Sequence, residues 1–519
     1  MIVTISMSNR MIKKIFYIFA PIHKGEWVKF FCMGAMFCCI LFNYNILRAI
    51  KDSLIVPNIG AEAISFVKMY AITPSAIAFM ILYTHMTNIM PFQRIFFYIA
   101  GFFLIFFLSF AFILYPYSET LHPSSEAIEA LIQTKIHIFS ITLDLDHFKW
   151  FFKLYGKWTF VLFYVLAELW GSAMIFLLYW QFANKTTKTD EAKRLYPTYL
   201  FLGHIGSTVS GFVIEYLAIT ELSDIVIFGN YYNGFISYTM FIISSSTIIA
   251  TCLFIYLSYW VVPHPISHIA TAQKPALLKS KLTLMESFKI IFSSKYLGLI
   301  VVLVFCYGIS INLIEGVWKD KVRDVYSNTR EYAYFMGGVA KWTGIATLVC
   351  TVLGGIILRN LGWFVGAIST PIIMLLTGVG FFVFVIFGHY LDHYLSNIGV
   401  SALVIAVSLG ALQNILTKGT KYSLFDATKE MAYIPANEHI KSKGKAAVDV
   451  VGARLAKSGG ALIQSLLFII FPLTTFETLA PYFMCIVVVL IVIWILDVVK
   501  LNKSYEIHIA KNHHEHPHL

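Results

Sequence analysis

Long apolar blocks alternate with short polar connections along the whole chain. Each block runs about 20 residues, the length at which an α-helix crosses the hydrocarbon core of a bilayer. The blocks are continuous and do not alternate apolar with polar at every second residue, so helices are expected rather than barrel strands. Twelve spans are predicted, at about 29–47, 66–84, 92–114, 157–180, 198–220, 238–262, 296–317, 338–358, 363–387, 396–416, 448–471 and 480–499. An even number places both termini on one side of the membrane.

The connections give the orientation. With both termini cytoplasmic, about 27 Lys and Arg fall inside and about 12 outside, as the positive-inside rule requires. Inside groups include Lys185, Lys188, Lys193 and Arg194, then Lys274, Lys279, Lys281, Lys289 and Lys295, then Lys418 through Lys457. The stretch 263–295 is polar, basic and proline-bearing, and it divides the chain into six spans plus six. The expected organisation is a cytoplasmic N-terminus (1–28), an N-terminal six-helix half (29–262), a cytoplasmic linker (263–295), a C-terminal six-helix half (296–499) and a cytoplasmic tail (500–519). The segment 115–156 is the longest on the outer side. It is too small for a domain but long enough for a short amphipathic element near His147-Phe148-Lys149-Trp150.

Composition agrees. The chain has 519 residues, 58% hydrophobic and 13% charged, with mean hydropathy +0.74; soluble domains carry about 25% charge. The net charge of +11 is accounted for by the inside loops, so no nucleic-acid partner is implied. The seven cysteines lie inside apolar blocks without metal-ligand spacing, and no metal or cofactor site is expected. The chain shows no cleavable signal peptide, and the first span is expected to act as the internal signal. HExxH, GxSxG and GxxxxGK[ST] are missing, and Gly452-Ala-Arg-Leu-Ala-Lys457-Ser458 is one residue short of a phosphate loop. No catalytic residue is assigned and an enzyme is not expected.

A few charges in or beside the spans remain. Glu168 stands in the middle of an otherwise uncharged span, where a carboxylate costs roughly 2.5–3.5 kcal/mol on insertion scales. It is either paired with a base on a neighbouring helix or used in transport. Arg48 and Lys51 share a helix face at the outer end of span 1 and read either as a snorkelling pair or as ligands. Glu315 and Lys319 are spaced for a local ion pair, as Lys51 and Asp52 are for a neighbouring one. A Lys-Asp pair recurs after the first helix of each half, at Lys51-Asp52 and Lys319-Asp320. With the equal orientation of the halves, this fits two parallel repeats of the major-facilitator kind. Gly203, Ser207 and Gly211 recur every four residues on span 5 and form a face for close helix packing. Lys421 and Lys429 lie in a basic stretch after span 10 that otherwise reads as a loop anchor. Several bases with a few carboxylates suit a multiply charged anion.

These motifs resemble the nucleotide transporter family of obligate intracellular bacteria and plastids. The resemblance rests on Arg48-Ala-Ile-Lys51-Asp52, Ala167-Glu168-Leu-Trp170-Gly171-Ser172, Glu315-Gly-Val-Trp318-Lys319, the segment Lys421 through Pro435, and Lys443-Gly-Lys-Ala-Ala with Lys457-Ser-Gly-Gly460. It implies an all-α membrane protein of the bacterial inner membrane, working as a monomer and importing host ATP in exchange for ADP. Some relatives carry other nucleotides. It also implies transport roles for Lys51, Glu168, Glu315 and one inner lysine, with Lys421 favoured over Lys429. Glu168 would then serve as counter-charge, gate or proton site.

Overall fold

The computed structural model describes residues 22–23, 25–138, 141–220, 225–227, 230–232, 234–261, 294–395, 397, 399–435, 444–445, 448 and 452–515. Most of the N-terminal segment, nearly all of the 263–295 linker with its Lys274, Lys279, Lys281 and Lys289, Lys443, and His516 and His518 lie outside the described residues.

Eleven of the described helices are long and apolar enough to cross a membrane. They are span 1 (Trp27–Ile55), span 2 (Ala63–Ile89), span 3 (Phe92–Leu114), span 4 (Trp158–Thr186), span 5 (Arg194–Ile219), span 6 (Gly234–Val261), span 7 (Lys295–Val325), span 8 (Thr329–Asn360), span 9 (Gly362–Ile386), span 10 (Ala402–Tyr433) and span 12 (Phe476–His508). The helix expected at 448–471 appears as Ala453–Ile470, with an apolar stretch over Ser458–Ile470. It is span 11 below. Helix is the only economical solution here: with no water in the hydrocarbon, each backbone N–H and C=O must be satisfied within its own segment. Span 12 continues as helix to Glu515, into the stretch expected as a tail.

The protein is a multi-pass membrane protein with the major-facilitator-like arrangement of two six-helix halves. We call the side where span 1 begins and span 12 ends the terminal face, and the opposite side the distal face. The described strands are two hairpins outside the spans, β1 (Lys135–Ile138) with β2 (Ile141–Asp144), and β3 (Ile225–Ile227) with β4 (Asn230–Tyr232). The first belongs to the distal 115–156 segment, which also forms helices Ser125–Ile132 and Lys149–Gly156. The amphipathic element expected there is the second of these.

Within the N-terminal half, span 1 packs on spans 4, 5 and 6; within the C-terminal half, span 7 packs on spans 10, 11 and 12. The halves meet where span 5 lies on span 8 and where span 2 lies on span 11. Large rings fill each half, among them Trp170, Tyr164 and Tyr179 in the first and Trp318, Trp494 and Tyr332 in the second. Ile81, Ile105, Phe176, Trp260 and Leu376 point outward, as lipid-facing positions should.

Glycine sets the approach of the two halves. A Cβ on Gly211 would lie 2.4 Å from the Lys341 amide nitrogen and 2.6 Å from the Gly337 carbonyl oxygen, so spans 5 and 8 touch backbone to backbone. Gly203 faces Phe37 and Leu41 of span 1, and Ser207 accepts from Asn45 there at 2.7 Å. The small-residue face of span 5 is therefore shared between two partners. Such contacts matter because lipid tails are as apolar as the side chains, leaving dispersion and polar contacts to hold helices together.

The links between the halves cluster toward the distal face. Lys341 donates to both oxygens of Glu215, at 2.8 and 2.6 Å. Arg330, at the start of span 8, donates to the Ala218 carbonyl at 2.6 Å and to the Thr220 carbonyl, closing the C-terminus of span 5. The end of span 11 is closed reciprocally from the N-terminal half. His147 Nδ1 lies 2.6 Å from the Ile469 carbonyl oxygen, and Lys149 donates to the Pro472 carbonyl. Each half thus offers the open carbonyls of its fifth helix to bases of the other.

Candidate functional site

Span 1 carries a polar face through the bundle: Tyr44, Arg48, and then Lys51 with Asp52 follow at helical spacing. None of these snorkels to an interface. Lys51 is buried and donates to Glu168 Oε2 at 2.6 Å, with its Nζ 4.0 Å from the centre of the Tyr164 ring. Asp52, 1% exposed, takes the Lys319 Nζ at 2.8 Å and the Tyr164 hydroxyl at 3.1 Å. Lys319 is itself 5% exposed, and the pair joins the first helix of one half to the first helix of the other.

Glu315 is the second junction. Its Oε1 lies 2.7 Å from Lys418 Nζ of span 10 and 3.4 Å from Arg48 Nη2 of span 1. One carboxylate oxygen therefore holds a base from each half. Asn414 Oδ1 takes a further bond from Lys418 at 3.0 Å. One turn before Glu315, Asn312 accepts from Lys68 of span 2 at 2.8 Å, and its own amide returns to the Gly308 carbonyl.

Local helix geometry is irregular beside these groups. Span 4 changes to π-helical turns over Gly171–Tyr179, just after Glu168, and span 10 does so over Lys421–Phe425, just after Lys418. The wider turn shifts the phase of the side chains that follow, and such segments recur at functional sites. In span 2 a π-helical stretch, Val67–Ile72, precedes Pro74 and carries Lys68. Pro74 has no N–H for the preceding turn, which accounts for the irregularity.

Arg48, Lys51, Lys68, Lys319 and Lys418 thus meet Asp52, Glu168 and Glu315, an excess of two formal positive charges in the middle of the bundle. A cavity of about 40 Å3 lies among Arg48, Asp52, Glu315, Lys319, Lys418 and Thr343. That is room for water and not for a nucleotide. Arg48, Lys51, Lys319 and Lys418 are held by the protein's own acids, and Lys68 by the Asn312 amide oxygen. Of these groups, Glu168 and Arg48 keep the most exposed side chains, at 36% and 31%.

Five of the residues singled out from sequence, Arg48, Lys51, Glu168, Glu315 and Lys319, come together here. The local pairs do not form: Lys319 turns to Asp52 instead of Glu315, and Lys51 to Glu168 instead of Asp52. Lys421 and Lys429 stand apart from the network. Lys421 pairs with Asp426 at 2.8 Å and lies over Tyr422, and Lys429 is 3.7 Å from Glu430. Two site lysines escaped the sequence reading. The hydropathy pattern ends span 10 at 416 and so puts Lys418 in a loop, whereas the helix continues to Tyr433. Lys68 was visible as a lone base inside a predicted span, the same signal that marked Glu168. Among the described residues no group of His, Cys, Asp and Glu has the make-up of a metal site.

Comparison with known proteins places these residues in a wider setting. A family model described as TLC ATP/ADP transporter matches residues 5–505. The ADP,ATP carrier protein 1 of Rickettsia bellii is 42% identical over 501 residues, covering 96% of this chain and 98% of that protein. The ADP,ATP carrier protein 1 of Rickettsia typhi is 42% identical over 508 residues, with 98% and 99% covered. Among solved structures, a bacterial homologue of the iron transporter ferroportin in an inward-facing state superposes with a TM-score of 0.55 at 13% identity, covering 90% of this chain and 98% of that one. A D-xylose-proton symporter does so with a TM-score of 0.50 at 13% identity, covering 90% and 97%. At that identity the likeness concerns the fold alone.

Proposed function

Because this chain belongs to the TLC ATP/ADP transporter family, we propose that it exchanges ATP for ADP across a bacterial inner membrane by alternating access of its two halves. ATP enters the cell and ADP leaves. Both termini are cytoplasmic on this reading, a placement supported by the excess of Lys and Arg in the terminal-face connections. The distal face is then the outside, and the closed distal contacts correspond to a carrier facing inward. The carrier works as a monomer and performs no covalent chemistry.

The observation that carries the proposal is the sharing of Glu315 between Arg48 and Lys418. Bases from opposite halves converge on one carboxylate oxygen, so a phosphate placed there would be gripped by both halves at once. Arg48, Lys51 and Lys418 take phosphate oxygens through charge-assisted hydrogen bonds. Lys68 and Lys319 add to the positive field. Glu168 and Glu315 then serve as counter-charges: they occupy the bases when no nucleotide is bound and give way when one arrives. Lys421 and Lys429 lie on the path between this network and the terminal face rather than in it.

ATP carries about one more negative charge than ADP. Exchange therefore moves charge, and each unit is worth roughly 2.3 kcal/mol per 100 mV of membrane potential. The purified protein in liposomes, challenged with labelled ATP against unlabelled ADP, ATP, GTP, CTP and UTP, tests the assignment. ADP and ATP are expected to compete best. Stronger competition by GTP, CTP or UTP would reassign the substrate within the family.

A further inference from the structure

On the terminal side of the charge network, one aromatic contact spans the halves. The His204 ring of span 5 faces the Tyr422 ring of span 10, with centroids 6.0 Å apart and planes inclined by 43°. The Tyr422 ring is not packed in the way its neighbours are. Tyr422 is 43% exposed, although Phe425 and Tyr307 beside it are buried and stacked on each other. Its contact with span 5 directs it to the interior between the halves rather than to lipid.

Tyr422 also lies close to the bases. It follows Lys418 by four residues, about one helical turn toward the terminal face. Lys421 Nζ stands 4.4 Å from its ring centre. A nucleotide whose phosphates sit on Arg48 and Lys418 therefore projects its other end toward this pair. We propose that His204 and Tyr422 clamp the nucleobase between them, an inference that rests on the phosphate site proposed above.

The spacing suits that role once the two planes, now inclined by 43°, turn parallel and open slightly. A base held between two rings needs two contact distances of about 3.5 Å, slightly more than the present separation. One ring comes from each half, so insertion of a base couples to the movement of the halves just as the phosphates do. Stacking reads the flat face of a base and not its hydrogen-bonding edge. The clamp therefore contributes affinity for any nucleobase, with purines favoured over pyrimidines by ring area.

The test is exchange in liposomes by Tyr422→Leu and His204→Leu, each first shown to melt within a few degrees of wild type. Two probes are compared, ADP and inorganic tripolyphosphate, a polyphosphate anion with no base. Loss of the ring is expected to weaken ADP about tenfold, while inhibition by tripolyphosphate shifts by less than about twofold. Tyr422→Phe, which keeps the ring, is expected to recover most of the ADP affinity. Equal weakening of both probes, or no weakening of ADP, overturns the clamp. Failure of the wild-type protein to exchange ADP would instead overturn the function proposed above, and the clamp with it.

Discussion

Two polar layers join the halves, and they are built differently. The central layer pairs side-chain charge with side-chain charge: Asp52 with Lys319, and Glu315 with Arg48 and Lys418. The distal layer relies mainly on helix ends. Arg330 closes span 5, and His147 with Lys149 close span 11, each base coming from the opposite half. A polyanion competes directly with the carboxylates of the central layer. It has no comparable grip on backbone carbonyls at the distal face. The first layer can therefore respond to substrate, and the second can open only when the halves move as bodies.

The largest expected effect breaks the central layer itself. Lys319→Met leaves Asp52 buried without its cation, and removal of one partner of such a pair costs about 3–5 kcal/mol. Thermal unfolding in detergent should fall steeply, and the double change Asp52→Asn with Lys319→Met should recover much of the loss. A smaller effect falls on binding. Lys51→Ala removes a charge-assisted bond worth about 1.5–3 kcal/mol, so ADP affinity should weaken tenfold or more. Folding should suffer less, because the partner Glu168 keeps over a third of its side chain exposed.

The distal layer can be sharpened with Arg330→Ala. Loss of the cation at the span 5 terminus should cost up to about 2 kcal/mol of distal closure. Maleimide labelling of a cysteine placed at the buried Ile214 should rise accordingly. Unchanged labelling would mean that Glu215 with Lys341, and His147 with Lys149 on span 11, hold the closure without Arg330.

The smallest effects are titrations at the two ends. At the terminal face, hydrogen bonds from Arg194 hold the Glu26 carboxyl down at about 2. A lowered folded-state pKa gives stability that is full above the unfolded value of about 4.5 and lost as pH falls toward 2. Near the distal face, Glu62 is buried, its Oε2 has no hydrogen-bond partner among the described residues, and burial pushes its carboxyl up. The sign is reversed there: stability is lost as pH rises through the raised value. Glu62→Gln should therefore stabilise the protein at neutral pH, and Glu26→Gln should destabilise it slightly. Melting curves from pH 2 to 8 on both variants check the opposite slopes.

The spans were legible in the sequence because bilayer thickness fixes helix length and the lipid excludes polar backbone. The site was legible wherever a charge stood alone in an apolar run, as Glu168 does. Pairing was not legible. Local spacing proposed Glu315 with Lys319 and Lys51 with Asp52, and tertiary contacts between helices far apart in sequence won in both cases. Helix ends were the other weak point. Lys418 looked like loop because its neighbours are polar, yet span 10 continues past it through a π-helical turn. The reciprocal capping by Arg330, His147 and Lys149 depends on which helix ends come together, and no local pattern marks that.

The central claim is that carboxylates hold the site's bases across the two halves, so the halves part and reorient only when a nucleotide takes the carboxylates' place. Liposomes containing the purified protein, either empty or preloaded with ADP, test it when labelled ATP is added outside with no pH gradient and then with one. Uptake is expected only into ADP-loaded vesicles, with little response to the pH gradient. Equal uptake into empty vesicles, driven by the pH gradient, would contradict the account.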